Sequence, residues 1–492
     1  MNKLFSEIYL QMIGLVCLVV FLPFKANSSE IIYLSLDSCR QLALENNNAL
    51  KISKEKVASA QWDKKYAISQ YFPKISAMGT YMWNEKDLKL IDFGPIHADL
   101  TQLVGTMPDM LKPFVAPMIP GLKNVLGKVE AATVLDIQNM YLGSVSLMQP
   151  IFMGGKIVAC QQIAQYAEKL ALSMSDNEMQ DMIYRTDELY WQIVSLEYKK
   201  QLSNNYVGML QKMDTNMQAL IGEGISTASD GLAVKVKLNE AEIALLKVEN
   251  GLNLSKMMLA QMCGLPLEAN LQLEDELPAI SKNSKESTQS IQKSSKEILV
   301  TDQVLQEAFA QRNELKSLLY AEKIFHKKEA VVLADMLPNI GFSANYFVSN
   351  PNLENGFQKE FSGMFNVGIV VKVPITDWIG GSFRRQTAKA QTRIKHLEYE
   401  DAKDKVELQV KQSSYRVNEA DRKLTTCFKN LNNAEENLKY ASYGFDEGVI
   451  SSLNVMEAQT AWVAAQAAYI DAQIEKKLSE IYFDKALGIL GK

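Results

Sequence analysis

Three histidines, His97, His326 and His396, are all the imidazole this 492-residue chain holds, and no two lie close in sequence. A metal centre or a Ser-His-Asp relay needs such groups at short, helical or loop spacings. No ligand-like His/Cys cluster and no pair of catalytic carboxylates stands out. Gly154-Gly155 and Gly380-Gly381 lack a following Gly-Lys-Ser/Thr, so neither is a nucleotide-cradling loop. The 22 Met and the scattered Cys read as packing residues. The chemistry-bearing residues therefore point away from an enzyme, a cofactor and a bound metal.

The most informative spacings are conformational. Tyr141, Gly143, Val145 and Leu147 alternate with Leu142, Ser144, Ser146 and Met148, which is strand periodicity. Pro150 then removes a backbone donor and is expected to end the ladder. Gly154-Gly155 lets the chain turn, and Cys160, Ala164, Ala167, Ala171 and Met174 follow at helical steps of three and four. The same junction recurs as Pro374 followed by Gly380-Gly381.

Hydrophobic residues at 47% and charged residues at 22% exclude wholesale disorder, and a net charge of −5 gives no reason to expect nucleic-acid binding. Lys3, the apolar run Ile8 to Phe24 and the small residues Ala26 and Ser28 read as a secretory signal over 1–28. A membrane anchor is the rival, weakened by Gln11, Gly14 and Pro23. Removing Lys3, Glu7 and Lys25 brings the charge to −6. No later segment has 18 consecutive apolar residues, so insertion after export must use strands. Four cysteines remain, with unpaired packing as the default reading and a Cys39–Cys263 bridge as the alternative.

Pro73 and Pro338 lie 265 residues apart, an offset shared by Leu50 with Leu315, Ile75 with Ile340 and Tyr81 with Tyr346. From Pro150 and Pro374 onward the offset is 224, and it relates Gly224 to Gly448 and Gly264 to Gly488. Two copies of one unit follow, at 29–264 and 305–488, with a connector at 265–304 rich in Ser and Lys over Ser281 to Lys296. The first copy holds a 41-residue surplus between Met82 and Tyr141, read as a cap at an outer mouth or a surface insertion.

Each copy reads helix, strand, loop, strand, long helix, turn, helix. The strands fall at about 74–83, 141–149, 339–347 and 364–373, each with one apolar face, as in an outer-membrane barrel. Four strands cannot close a barrel, so the chain must associate; a soluble four-stranded sheet is the alternative. The run Gly154 to Ile221 is expected to form a helix of about 100 Å at ~1.5 Å per residue. The returning helix carries Leu238, Ala241, Leu245, Val248, Leu252, Ser255, Leu259 and Met262 as a heptad seam, so the helices form a coiled-coil shaft.

The paired strand–Pro–Gly-Gly–helix junctions, with the turn Glu447-Gly448-Val449-Ile450-Ser451-Ser452-Leu453-Asn454-Val455-Met456-Glu457-Ala458, resemble the TolC-like outer-membrane efflux proteins over nearly the whole mature chain. The resemblance implies a mixed α and β fold, mainly long coiled-coil helices forming an α-barrel tunnel. It also implies a homotrimer with a twelve-stranded barrel in outer-membrane lipid, an inner-membrane transporter and a periplasmic adaptor. Docking would use the helix-hairpin tips, here Gly224, Ile225, Ser226, Asp230, Gly448, Val449 and Ile450. A carboxylate ring narrows the tunnel in similar proteins at the positions of Asn454 and Glu457, so this chain has an amide in place of the first acid. Phe445 and Ile450 stand where some relatives have a Tyr and an Arg that latch the tip. The junction residues are Pro73, Pro150, Gly154, Gly155, Pro338, Pro374, Gly380 and Gly381.

The expected function is a passive exit duct for small molecules or drugs in a tripartite efflux system of a Gram-negative outer membrane. The rivals are a duct for type I protein secretion and a poreless periplasmic coiled-coil scaffold. The scarcity of His disfavours metal-ion efflux.

Overall fold

The structure is a computed structural model describing residues 31–89, 94–108, 112–135, 137–274, 299–352 and 358–491. Residues 1–28, the expected secretory signal, and the Ser/Lys-rich run 281–296 lie outside the described residues. Contacts divide the chain into two compact units: 31–58, 170–319 and 397–491 form one, and 59–169 and 320–396 the other.

The first copy starts with β1 (Ile32–Leu34) and two helices, α1 (Leu36–Asn46) and α2 (Asn48–Ser69). Ser35 caps α1 by accepting from the Ser38 N–H, and Asn47, in an extended conformation, interrupts the helical run. Next come β2 (Lys74–Trp83), β5 (Asn139–Met153), the long helix α6 (Lys156–Gly222) and the returning helix α7 (Ala228–Cys263). Between β2 and β5 the surplus folds as α3 (Gly94–Thr106), α4 (Lys112–Val115) and α5 (Ile119–Ala132), clasped by β3 (Leu88–Lys89) paired to β4 (Val134–Leu135). After β6 (Leu271–Leu273) the second copy repeats the order as α8 (Asp302–Gln311), α9 (Asn313–Ala334), β7 (Asn339–Asn350), β8 (Ser362–Lys372), α10 (Asp377–Asp446) and α11 (Ser452–Leu487).

In the first unit the heptad seam of α7 is its buried side: Ala241, Leu252, Ser255 and Leu259 are buried. One core joins Cys39, Tyr190, Ile193, Leu252, Leu259 and Cys263 with Leu34, Leu271 and Leu273. A second lies by the helix hairpins, where Leu210, Met217, Val234, Val455 and Met456 pack together. Arg40 donates from Nε and Nη2, both at 2.6 Å, to the fully buried Asp187 carboxylate. The 265–304 connector differs from a wholly exposed link. Its β6 pairs in parallel with β1, Ile32 opposite Leu271 and Leu34 opposite Leu273, so that alternate leucines enter the core. The pairing partners are more than 200 residues apart, which is why no local pattern marked it.

The second unit is built on an antiparallel sheet in the order β2-β5-β7-β8.

Candidate functional site at the sheet edges and hairpin tips

The sheet's register sets its faces. Ile75 lies opposite Leu147, and Ala77 opposite Val145. Val145 then meets Tyr346, Tyr346 meets Phe365, and Phe342 meets Ile369. Because side chains alternate, these apolar residues form one continuous face across four strands. The other face carries Ser76, Ser144, Ser146, Ser343, Asn345 and Asn366, with Asn345 Nδ2 donating to Asn366 Oδ1 at 2.9 Å. At the end where the surplus enters, Tyr81 and Tyr141 have ring centroids 5.0 Å apart and Tyr141 and Phe361 6.0 Å apart. Sequence reasoning missed Phe361, which lies just outside the alternating run. Among the described residues β2 pairs only with β5, and β8 only with β7, so both are edge strands.

The four prolines are placed differently. Pro73 and Pro338 immediately precede β2 and β7, where a missing donor is harmless. Pro150 does not end its strand. β5 continues to Met153, with Phe152 opposite Ile340 and Met153 opposite Asn339, after a bulge between Pro150 and Phe152. The β2 side of the ladder has already stopped at Met148, so Pro150 needs no donor there, and the bulge absorbs the mismatch with β7. Pro374 lies beyond β8, after Lys372.

The two glycine pairs also differ. Gly154 and Gly155 turn the chain with φ of 60° and 83°. A side chain on Gly154 would also put a Cβ 2.8 Å from the Ala334 carbonyl oxygen, so this position needs both the left-handed backbone and the space. Gly380 and Gly381 make no turn. They lie inside α10, which begins at Asp377, because Pro374 to Thr376 already supplies the bend.

At the first hairpin tip Gly224 has φ of 73° and the Ile225 N–H donates to the Leu220 carbonyl at 2.9 Å, closing α6. Thr227 and Asp230 form a capping box. The Asp230 N–H donates to Thr227 Oγ1, and Asp230 Oδ2 accepts from the Thr227 N–H at 3.1 Å. The Thr227 and Ser226 hydroxyls also donate to Oδ2, at 2.7 and 3.1 Å. These bonds, Thr227's first, hold the Asp230 carboxyl below its ordinary range. At the second tip Gly448 has φ of 73°, and the Val449 N–H donates to the Gly444 carbonyl at 2.8 Å. Val449 is 81% exposed and Ile225 73%, so each turn presents an unburied aliphatic side chain. Phe445 and Ile450 are partly buried against the Val455–Met456 core.

Ser451 caps α11, accepting from the Asn454 N–H at 3.5 Å. Asn454 and Glu457 lie together on the exposed side of α11, opposite the buried Val455, Met456, Ala458 and Gln459. The stripe continues through Ala461, Ala464 and Ala468, all exposed and again at steps of three and four. Sequence reasoning missed this alanine stripe, although its spacing was legible. Among the described residues no helix is long and apolar enough to cross a membrane, and no group of His, Cys, Asp and Glu gathers as metal ligands.

The sequence profile of the outer membrane efflux protein family matches residues 39–265 and 276–489. No curated protein matches the sequence. Among solved structures, VceC, the outer membrane protein of Vibrio cholerae, has a TM-score of 0.68 at 13% identity, over 92% of this chain and 96% of that one. The Campylobacter jejuni CmeC outer membrane channel has a TM-score of 0.69 at 14% identity, over 92% of this chain and 85% of its own. The Neisseria gonorrhoeae MtrE outer membrane channel, in its open state, has a TM-score of 0.66 at 14% identity, over 92% and 89% of the respective chains.

Proposed function

Because the chain belongs to the outer membrane efflux protein family, we propose that it is the exit duct of a tripartite efflux system, passing small molecules delivered by an inner-membrane transporter through a periplasmic adaptor. The observation that carries the reading is the pair of open edges on an apolar-faced sheet. An unpaired edge exposes a row of N–H and C=O groups that must be satisfied where no water reaches them. Four strands are too few to close, whereas β2 of one copy against β8 of the next, three times over, closes twelve strands and leaves an aqueous lumen. The exposed residues at the tips, Ile225 and Val449, then serve the adaptor. Glu457 and Asn454 face the narrow end of the tunnel, where threefold symmetry gathers three carboxylates. No nucleotide loop is present in the sequence, so transport through the duct is passive.

Native mass measurement after mild detergent extraction tests the assembly: a trimer is expected, and a monomer or dimer would remove the barrel argument. Planar bilayers containing the trimer should then show discrete single-channel conductance.

A further inference from the structure

All four cysteines in the described residues carry free thiols, and two of them lie in one core cluster. Cys39, in α1, and Cys263, the last residue of α7, are fully buried in one cluster with Tyr190, Ile193, Leu259 and Leu271. The Cys263 thiol donates to the Cys39 carbonyl at 3.7 Å. Two helical turns along α1 from Cys39, Asn46 Nδ2 donates to the Cys263 carbonyl at 3.2 Å, so α1 holds the end of α7 at both positions.

The second repeat shows that the fold does not require sulfur here. Gly264 and Gly488 end α7 and α11 in the same left-handed conformation, with φ of 72° and 75°. Asn46 packs on Gly264 as Gln311 and Arg312 pack on Gly488. By this correspondence Cys39 stands where the second repeat has Val304, and Cys263 where it has Leu487. Apolar residues serve one copy, and the other has cysteine at both places.

We infer that Cys39 and Cys263 are joined by a disulfide in the exported protein. Outer-membrane proteins fold after export, in a compartment that keeps disulfides oxidised. The reaction is thiol–disulfide exchange with a disulfide oxidant of that compartment. One cysteine thiolate attacks the oxidant's disulfide and releases one of its thiols. The second cysteine attacks the mixed disulfide, forms the Cys39–Cys263 bond and releases the other thiol, so two electrons pass to the oxidant and two protons end on its sulfurs. The bond forms before α1 docks. Afterwards neither sulfur is exposed, and the hydrogen bond to Cys263 together with burial pushes the Cys39 thiol above its ordinary range. The closed ring encompasses 39–263, the body of the first repeat, and so constrains a long stretch of the unfolded chain.

Cells are quenched with N-ethylmaleimide in denaturant, and the protein is digested without reductant and mapped by mass. The expected result is a linked pair of peptides carrying Cys39 and Cys263, separable by reduction, with Cys160 and Cys427 alkylated. Alkylation of all four cysteines, or a link through Cys160 or Cys427, overturns the assignment. The double variant Cys39→Val/Cys263→Leu, which copies the second repeat, should still assemble and lose the mobility difference between reduced and non-reduced samples. A difference that persists in that variant also overturns it.

Discussion

Ile450 Cδ1 fills the space a side chain on Gly444 would need, since a Cβ at Gly444 would stand 2.6 Å from it. The first tip does the same from the other arm, with Ile221 Cδ1 2.7 Å from a Cβ placed on Gly231. Each hairpin is thus held by an isoleucine seated on a glycine, without a charged pair across the turn. Gly444→Ala must displace Ile450, an overpacking cost of about 1–3 kcal/mol. Amide exchange over Phe445 to Ser451 should accelerate while the trimer survives. Adding Ile450→Ala should recover part of the loss, and strict additivity of the two changes would refute the contact as the holding element.

The capping carboxylate at Asp230 gives the first tip a pH dependence that the second lacks. Its folded pKa is depressed by the Thr227 and Ser226 hydrogen bonds, so its contribution is present above the unfolded value and lost as pH falls through the folded one. The first tip should therefore loosen only below the ordinary carboxylate pKa of about 4. Asn454→Asp would place an acid at the matching position beside Ser451. The Ser451 to Val455 amides should then exchange more slowly at neutral pH, with the gain erased in acid. Protection that is equal at both pH values would mean that no second box forms.

Glu457→Gln reads the position of the exposed face of α11. In the proposed trimer three Glu457 carboxylates form a confined ring that attracts cations and repels anions, so the assembled duct should be cation-selective. The amide should reduce that selectivity without altering assembly. Reversal potentials under a salt gradient decide it, since identical values would put Glu457 outside the conducting path.

The two glycine pairs make opposite predictions. Gly154→Ala meets both an unfavourable backbone and the Ala334 carbonyl, and should sharply reduce the yield of folded trimer. Gly380 is helical with open space around its Cβ position. Gly380→Ala should be neutral or stabilising by about 0.5–1 kcal/mol, the helix-propensity difference. Thermal midpoints of the extracted protein compare them, and equal losses would mean that the two junctions are equivalent after all.

Local periodicity by itself determines much of this protein. Alternation of Ile75, Ala77 and Tyr81 with Ser76, Met78 and Thr80 is enough to make a two-faced strand, because side-chain direction follows from backbone geometry alone. The seam through Leu245, Leu252 and Leu259, the left-handed glycines at 224 and 448 and the recurrence at offsets of 265 and 224 are likewise properties of neighbouring residues or of the chain compared with itself. What the tertiary structure decided depends on partners far along the chain. Pro150 is tolerated inside β5 because β2 has already ended beside it, whereas Pro374 follows an edge strand, and the same residue type cannot announce which neighbour it will have. The β1–β6 pairing and the seat of Ile450 on Gly444 were also settled by packing, which likewise decided for the Cys39–Cys263 contact that the sequence offers only as one alternative. Contact between surfaces brought together by folding leaves no period in the sequence from which it could be read.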